Sequence, residues 1–320
     1  MGYNSRIKIR REVQCLMDAL IQSLVQANFA PERIAPQASM AQYTTLRIGG
    51  PAEVMVNIHS ADEIAVALRA AKQADAPVTI IGNGSNLLVR DGGIRGLVLR
   101  ISGGLNAIRR EGNCLLVQAG ASLAAVAAFA RDEGLSGMAE LGGIPGTVGG
   151  GVLMNAGAYG AELAQLVTQA EGVSLSDGRR VIYPADRLDF AYRHSALMDA
   201  GVVITQATLA LTPGDPEAIR ARMEECAKAR REKQPLTLPS AGSTFKRPEG
   251  HFAAKLIDDC GLRGLTVGGA QVSEKHAGFI VNIGGATARD MLELMRQVEQ
   301  RVFEQTGVQL EPEIRILGED

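Results

Sequence analysis

Three polar clusters in this chain have residue types suited to anion binding or proton transfer. Tyr192-Arg193-His194-Ser195 sets a cation just ahead of an apolar run that reads as a strand. An arginine keeps its charge at any working pH and meets carboxylates and phosphates with a planar fork of donors. The segment 240–248, SAGSTFKRP, surrounds Ser243 with glycine and lysine. Glu313 and Arg315 lie two apart in EPEIR, inside an expected strand over 308–317. Side chains two apart on a strand share a face. Each cluster also has a plain structural reading: an ion pair for Arg193, a turn hydroxyl for Ser243, and a same-face salt bridge for Glu313 and Arg315. Spacing alone does not join them into one site.

The stretch around which such residues would be arranged is 141–160, LGGIPGTVGGGVLMNAGAYG, with eight glycines in twenty residues. That density is expected in neither a helix nor a strand interior. It gives backbone that bends sharply and approaches a ligand without side chains, and successive N–H groups in such turns suit phosphate oxygens. Val148, Val152, Leu153 and Met154 make it an apolar loop, pressed against the core or against a flat cofactor. A second glycine turn lies in IGNGSNLLVRDGG, 81–93. It is not a dinucleotide fingerprint, because position 87 is leucine and LLVR reads as strand rather than helix. Neither glycine-rich stretch carries a Walker lysine. A phosphate at Gly82, Asn83, Gly84, Ser85 and Asn86 would sit in a strand–turn–strand nest; the other reading is a plain turn.

The elements that must hold these turns follow from periodicity and caps. Apolar residues at helical spacing predict an amphipathic helix over 9–28. A strand is expected at 52–58. Ser60 with Glu63 forms a capping-box pattern ahead of a helix to about 74. Strands follow at 78–81, 97–101 and 115–119, and a helix at 122–132 is closed by Gly134. Asp177-Gly178 signals a hairpin between 167–175 and 181–183, and a strand covers 202–211. Asp215 and Pro216 start a helix to about 233. A short helix at 253–260 and turns with short strands at 264–283 precede the last helix, capped by Thr287 and ending near Gly307. The division expected is 1–42 as helix and lead-in, 43–212 as one region with two glycine turns, and 213–320 as a second.

Composition removes several classes. A chain of 320 residues, 46% hydrophobic, can build more than one core. A net charge of −2 announces neither nucleic acid nor a membrane surface. Four scattered cysteines without a CxxC pair and four histidines without ligand spacing predict no metal site and a reducing compartment. No apolar run approaches a membrane span, and the charged N-terminus does not read as a signal peptide. The expectation is a soluble cytoplasmic protein.

From Tyr43 to Leu317 the chain resembles the UDP-N-acetylenolpyruvoylglucosamine reductase (UDP-N-acetylmuramate dehydrogenase) family of peptidoglycan synthesis. TTLRIGGPAE, IGNGSNLLVRDGGIRGLVLRI, GGIPGTVGGGVLMNAGAYG, YRHS, REKQPLTLPSAGSTFKRP and EPEIRILG occur in the family's order. The resemblance implies an α+β fold: an FAD-binding domain of the vanillyl-alcohol-oxidase type plus a C-terminal α/β substrate-binding domain. It implies non-covalent FAD, NADPH as hydride donor, and reduction of an enolpyruvyl sugar nucleotide to its lactyl ether. It matches Arg193, Ser243 and Glu313 to the family's active-site arginine, proton donor and glutamate. Gly82–Asn86, Ile144, Pro145, Gly146, Gly149, Gly150, Asn155, Gly157 and Arg315 are implied at the flavin, and Tyr159, Tyr192 and Lys233 at the substrate. Glu313 would hold a proton of its own or orient Arg193 or a water. Fifty residues separate Arg193 from Ser243, which implies the class without an extra tyrosine-bearing loop. Arg247 stands where some members carry asparagine. Two other readings are an oxidase of the same flavin fold and a non-catalytic flavin or sugar-nucleotide binder.

Overall fold

A computed structural model describes residues 16–320. The helices are α1 (16–26), α2 (Ala61–Gln73), α3 (Leu123–Asp132), α4 (Val148–Leu153), α5 (Pro216–Lys233), α6 (Ala253–Asp259) and α7 (Ala288–Thr306). The first helix expected from sequence is present over 16–26 with Leu20 and Leu24 buried, and its predicted start at 9–15 lies outside the described residues. Packing divides the chain into two compact units. One contains the described residues up to Ala38, with Ala52–Gly82 and Arg95–Met223; the other contains Ser39–Pro51, Asn83–Ile94 and Glu224–Asp320.

The first unit is built on two sheets. A four-stranded sheet runs in the order Ile34–Ser39, Pro51–Asn57, Ile94–Arg100, Val78–Ile81, the last pair parallel with Val78 opposite Leu97. Consecutive residues Val54-Met55-Val56 and Leu97-Val98-Leu99 are fully buried, so this sheet is covered on both faces. A five-stranded antiparallel sheet runs in the order Arg180–Pro184, Val167–Ser174, Val202–Ala210, Cys114–Gln118, Ile108–Glu111. Ser60 caps α2 by accepting from the Glu63 N–H. The reciprocal half of the expected box is displaced by one residue, because the Glu63 carboxylate takes the His59 N–H (2.7 Å) and a paired bond from Arg33. The hairpin at Asp177-Gly178 forms with a longer turn than the dipeptide signals, closed by Ser174 N–H to Arg179 O (2.8 Å).

The second unit places α6 and α7 with a three-stranded antiparallel sheet, Thr266–Val267, Ala270–Val272 and Ile280–Asn282. α7 buries Met291, Leu294, Met295, Val298 and Val302, the stripe its helical spacing requires. Thr287 and Asp290 cap one another at its start, the Asp91 carboxylate accepts from Ala288 and Arg289 N–H (2.9 and 3.0 Å), and Gly307 at φ 72° ends it.

Two sequence expectations are corrected here. The glycine-rich centre is not loop throughout, since Val148–Leu153 is helical with Thr147 as N-cap. Its glycines serve close packing: the Gly149 N–H reaches Ala119 O (2.8 Å), and a Cβ at 149 would lie 2.9 Å from the Ala119 Cβ. Proximity to the neighbouring chain outweighs the helix propensity that glycine lacks. The expected strand over 308–317 shrinks to Arg315–Leu317, parallel to Leu87–Val89. Pro312 has no N–H to give, and the backbone changes partner along the segment: Glu313 N–H bonds Thr244 O, whereas Arg315 N–H bonds Asn86 O.

Candidate active site

In the first unit the glycine-rich centre and the YRHS turn are tied together. Asn155, 2% exposed, ends α4 in a left-handed conformation (φ 43°). Its amide donates to Ala191 O (3.2 Å) and its carbonyl accepts the Ala164 N–H (2.9 Å). Ser195, fully buried, donates to Leu153 O (2.8 Å). These bonds hold the turn Ala191–His194, whose outer residues exchange two backbone bonds (3.1 and 3.2 Å). Tyr192 and Arg193 occupy its corner. Arg193 has φ 56°, a region that favours glycine and costs an ordinary residue roughly 1 kcal/mol. The guanidinium carbon lies 5.1 Å from the Tyr192 ring centroid.

Tyr159 repeats the pattern. Gly157–Ala158 and Ala161–Glu162 form a small hairpin whose two corner residues, Tyr159 and Gly160, both have positive φ (52° and 87°). Such turns usually begin with asparagine, aspartate or glycine. Two tyrosine rings, 42% and 52% exposed at Tyr159 and Tyr192, thus stand on corners locked by α4 and its neighbours or by a tight hairpin. Strained corners held by their surroundings point to function.

Glycine also shapes the cofactor-type turns. A Cβ at Gly82 would come 2.6 Å from the Thr147 Oγ1, so the first glycine of the 82–86 turn lies against the N-cap of α4. Gly84 has φ 62° and would drive a Cβ to 2.1 Å from Tyr43 O. Gly150 differs: it is exposed, and a Cβ there would meet only the Thr147 Oγ1 at 3.5 Å. Ile144, Pro145 and Gly146 lead into this helix, with Gly146 O accepting the Leu123 N–H (3.1 Å). Gly82 and the open face of α4 at Gly150 leave bare backbone within the first unit, which suits a flat group carrying phosphates.

In the second unit four predicted residues come together. Asn86 donates its side-chain N–H to Glu313 O (3.1 Å) and accepts the Arg315 N–H on its own carbonyl (2.9 Å). The Glu313 N–H bonds Thr244 O (2.8 Å), next in chain to Ser243. Ser243 and Glu313, seventy residues apart in sequence, therefore sit on adjoining backbone. The sequence expectation that Glu313 and Arg315 share one strand face does not hold, because Ile314 is a bend and the strand starts at Arg315. Asn86, expected to help bind phosphate, has its amide on the protein's own backbone. Lys233 is exposed at the end of α5. No cluster of potential metal ligands occurs among the described residues. Sequence reasoning missed Thr147 and Thr244, and named Ser195 only as part of the YRHS cluster, without its bond to Leu153; for Thr147 the signal was available, a threonine directly before an apolar run.

Residues 52–182 match the FAD binding domain, and residues 234–317 match the UDP-N-acetylenolpyruvoylglucosamine reductase, C-terminal domain. The chain is 47% identical over 299 residues to a UDP-N-acetylenolpyruvoylglucosamine reductase of Pediococcus pentosaceus, covering 93% of this chain and 99% of that protein. It is 49% identical over 292 residues to the protein of that name from Agathobacter rectalis, covering 88% and 92%. Among solved structures it resembles the UDP-N-acetylenolpyruvylglucosamine reductase of Thermus caldophilus, with a TM-score of 0.76, 38% identity, and coverage of 88% of this chain and 97% of that one.

Proposed function

This chain belongs to the UDP-N-acetylenolpyruvoylglucosamine reductase family, and on that premise we propose that it reduces the enolpyruvyl ether of UDP-N-acetylglucosamine to UDP-N-acetylmuramate, with NADPH as the source of hydride and cytoplasmic peptidoglycan synthesis as the setting. The protein is a flavin-dependent oxidoreductase. The observation that carries the reading is near-full-length identity to reductases of that name, joined to an FAD-binding domain. We keep 43–212 as the cofactor region and 213–320 as the substrate region.

The chemistry that bound FAD would supply is hydride, drawn from NADPH, for the β-carbon of the enolpyruvyl double bond. The chain's own residues must then manage charge and a proton. Negative charge spreads from the α-carbon into the substrate carboxylate, and Arg193 takes that carboxylate in a two-point ion pair. One well-aimed donor in a dry site is worth about 3–4 kcal/mol at the transition state. Ser243 delivers the proton to the α-carbon, so that one hydride and one proton add across the double bond. A hydroxyl is a weak acid, which suffices because the anion it quenches is strongly basic. Glu313 holds a proton of its own or orients a water. Lys233 pairs with the diphosphate, and Tyr159 and Tyr192 border the sugar nucleotide. Gly82, Gly84, Gly146, Gly150 and Gly157 give the cofactor bare backbone, Asn83, Ser85, Ile144 and Pro145 border it, and Arg315 stands near the flavin; Gly149, Asn86 and Asn155 serve by holding other parts of the chain in place.

The test is an anaerobic visible spectrum. Bound flavin should bleach with NADPH and return on addition of the enolpyruvyl sugar nucleotide. Return with oxygen alone would refute the reductase reading. In Ser243→Ala, NADPH should bleach the flavin normally while reoxidation by the sugar nucleotide slows by about 10²–10⁴-fold. Reoxidation at the parent rate would remove Ser243 as proton donor.

A further inference from the structure

Thr244 is 2% exposed, and each of its polar groups is engaged. Its N–H bonds Gly278 O (2.9 Å), its hydroxyl accepts the Ile280 N–H (3.0 Å), and its carbonyl accepts the Glu313 N–H (2.8 Å). The pairing continues on the far side: Phe245 bridges Pro312, and Lys246 N–H reaches Glu311 O (2.8 Å). On the near side Ser240 bridges Val281, its carbonyl accepts the Thr45 hydroxyl (2.7 Å) and Ala241 is buried, so Gly242 is the open link before Ser243. Gly242 has φ 79°, and a Cβ there would meet nothing within 4 Å. Ser243 therefore stands between two anchored segments, and Thr244, bonded to it directly, is the nearer anchor.

We propose that Thr244 is a positioning residue for proton delivery: its hydroxyl and backbone clamp the peptide beside Ser243 to Gly278 and Ile280 and carry Glu313 on the same clamp. The argument is geometric. The Thr244 nitrogen is bonded directly to the Ser243 carbonyl carbon, so any shift of Thr244 moves the serine. The hydroxyl is the one side-chain contribution to the clamp, and an apolar replacement of equal shape leaves the Ile280 N–H, in a residue 2% exposed, without its acceptor. The loop must then move or admit water. A displacement of about 1 Å from the productive position costs on the order of 10²-fold in rate. The same clamp takes the Glu313 N–H, while Asn86 holds the Glu313 carbonyl (3.1 Å), so a shift of Thr244 changes the spacing of Ser243 and Glu313. This inference rests on the reductase reading, since it presumes that Ser243 gives a proton.

The experiment is a graded series at position 244 in the full-length, FAD-loaded protein. Thr244→Ser keeps the acceptor, Thr244→Cys offers a weak one, and Thr244→Val offers none. NADPH bleaching and reoxidation by the enolpyruvyl sugar nucleotide are followed separately in stopped flow. The expected order of reoxidation rates is Thr close to Ser, then Cys, then Val. The valine variant should be slowed by about tenfold to a hundredfold, its KM within about threefold of the parent and its bleaching rate unchanged. Should valine fail to fold, the comparison of serine with cysteine carries the same order. Equal reoxidation rates across the series overturn the proposal, and so does a serine variant as slow as valine. Bleaching that slows in step with reoxidation also overturns it, because that marks a general loss of structure. A parent protein whose bleached flavin is not reoxidised by the sugar nucleotide fails earlier, and there the functional reading itself falls.

Discussion

Gly150→Ala should make the flavin-free protein more stable and the flavin-loaded protein harder to form. Gly150 is the third residue of α4, exposed, and bonded by its N–H to the N-cap hydroxyl of Thr147. A methyl there meets only that hydroxyl oxygen, at 3.5 Å, an ordinary contact. Alanine is favoured over glycine inside a helix by about 0.5–1 kcal/mol, partly because the unfolded chain has less freedom to lose. The flavin-free variant should gain that amount. Gly149 is the control. Its Cβ would lie 2.9 Å from the Ala119 Cβ and 3.3 Å from Ala119 O, part of a backbone that cannot swing away. Gly149→Ala should therefore lose about 1–3 kcal/mol to overpacking, less the same helix gain. Cofactor binding separates the readings at 150. If the open face of α4 receives FAD, a methyl there is one group too many in a fitted site, a mismatch worth roughly 10–200-fold in affinity. The assay is urea unfolding of flavin-stripped protein, because bound ligand would stabilise the parent by mass action and mask the gain, followed by titration with FAD. A flavin-free Gly150→Ala less stable than the parent would refute the packing argument. Parental FAD affinity would refute the use of that face by the cofactor.

Two further outcomes are expected. Arg193→Asn keeps a residue that tolerates left-handed backbone, so relief of about 1 kcal/mol of strain offsets the lost Tyr192 stacking; stability should stay within about 1 kcal/mol while turnover falls by at least about a hundredfold, and a variant that turns over normally would show that the guanidinium has no part in the reaction. Burial of the His276 ring holds its pKa below the ordinary 6.5, with the charge of Arg263 adding to the effect and a bond within its own turn opposing it. Between the folded pKa and 6.5 the unfolded chain binds more protons, so stability is complete above that value and declines as pH falls below it. His276→Gln should flatten the dependence of the urea midpoint between about pH 7.5 and about pH 5; equal slopes in the two proteins would refute the assignment.

Much of the fold was legible because its signals are local. Ser60, Ser122, Asp215 and Thr287 start helices where the pattern places them, and Gly134, Gly261 and Gly307 follow helix ends at positive φ. The failures came where a distant partner decides. Three adjacent glycines argue against a helix, yet Ala119 and Leu163 press so close to α4 that side chains at 149 and 151 would collide with them. EPEIR alternates like a strand, yet Thr244 takes one end and Asn86 the other, so the face shared by Glu313 and Arg315 disappears.

The asparagines of the glycine turns show why motif chemistry cannot be assigned by residue type. Asn86 and Asn155 carry amides that would suit a phosphate, and each spends that amide on backbone of its own chain. For Asn86 the partner is 227 positions away, and the two meet because Leu87–Val89 pairs in parallel with Arg315–Leu317. Nothing near Asn86 in sequence announces that pairing. A donor holding a fixed acceptor contributes geometry, and removing it disturbs whatever that acceptor carries. At Asn86 the acceptor belongs to Glu313, so a variant made to probe cofactor binding would also displace a residue assigned to the substrate step. Asn83 and Ser85 are the side chains of the 82–86 turn left to test for phosphate, and Asn86 belongs with Thr244 in the group that sets Glu313.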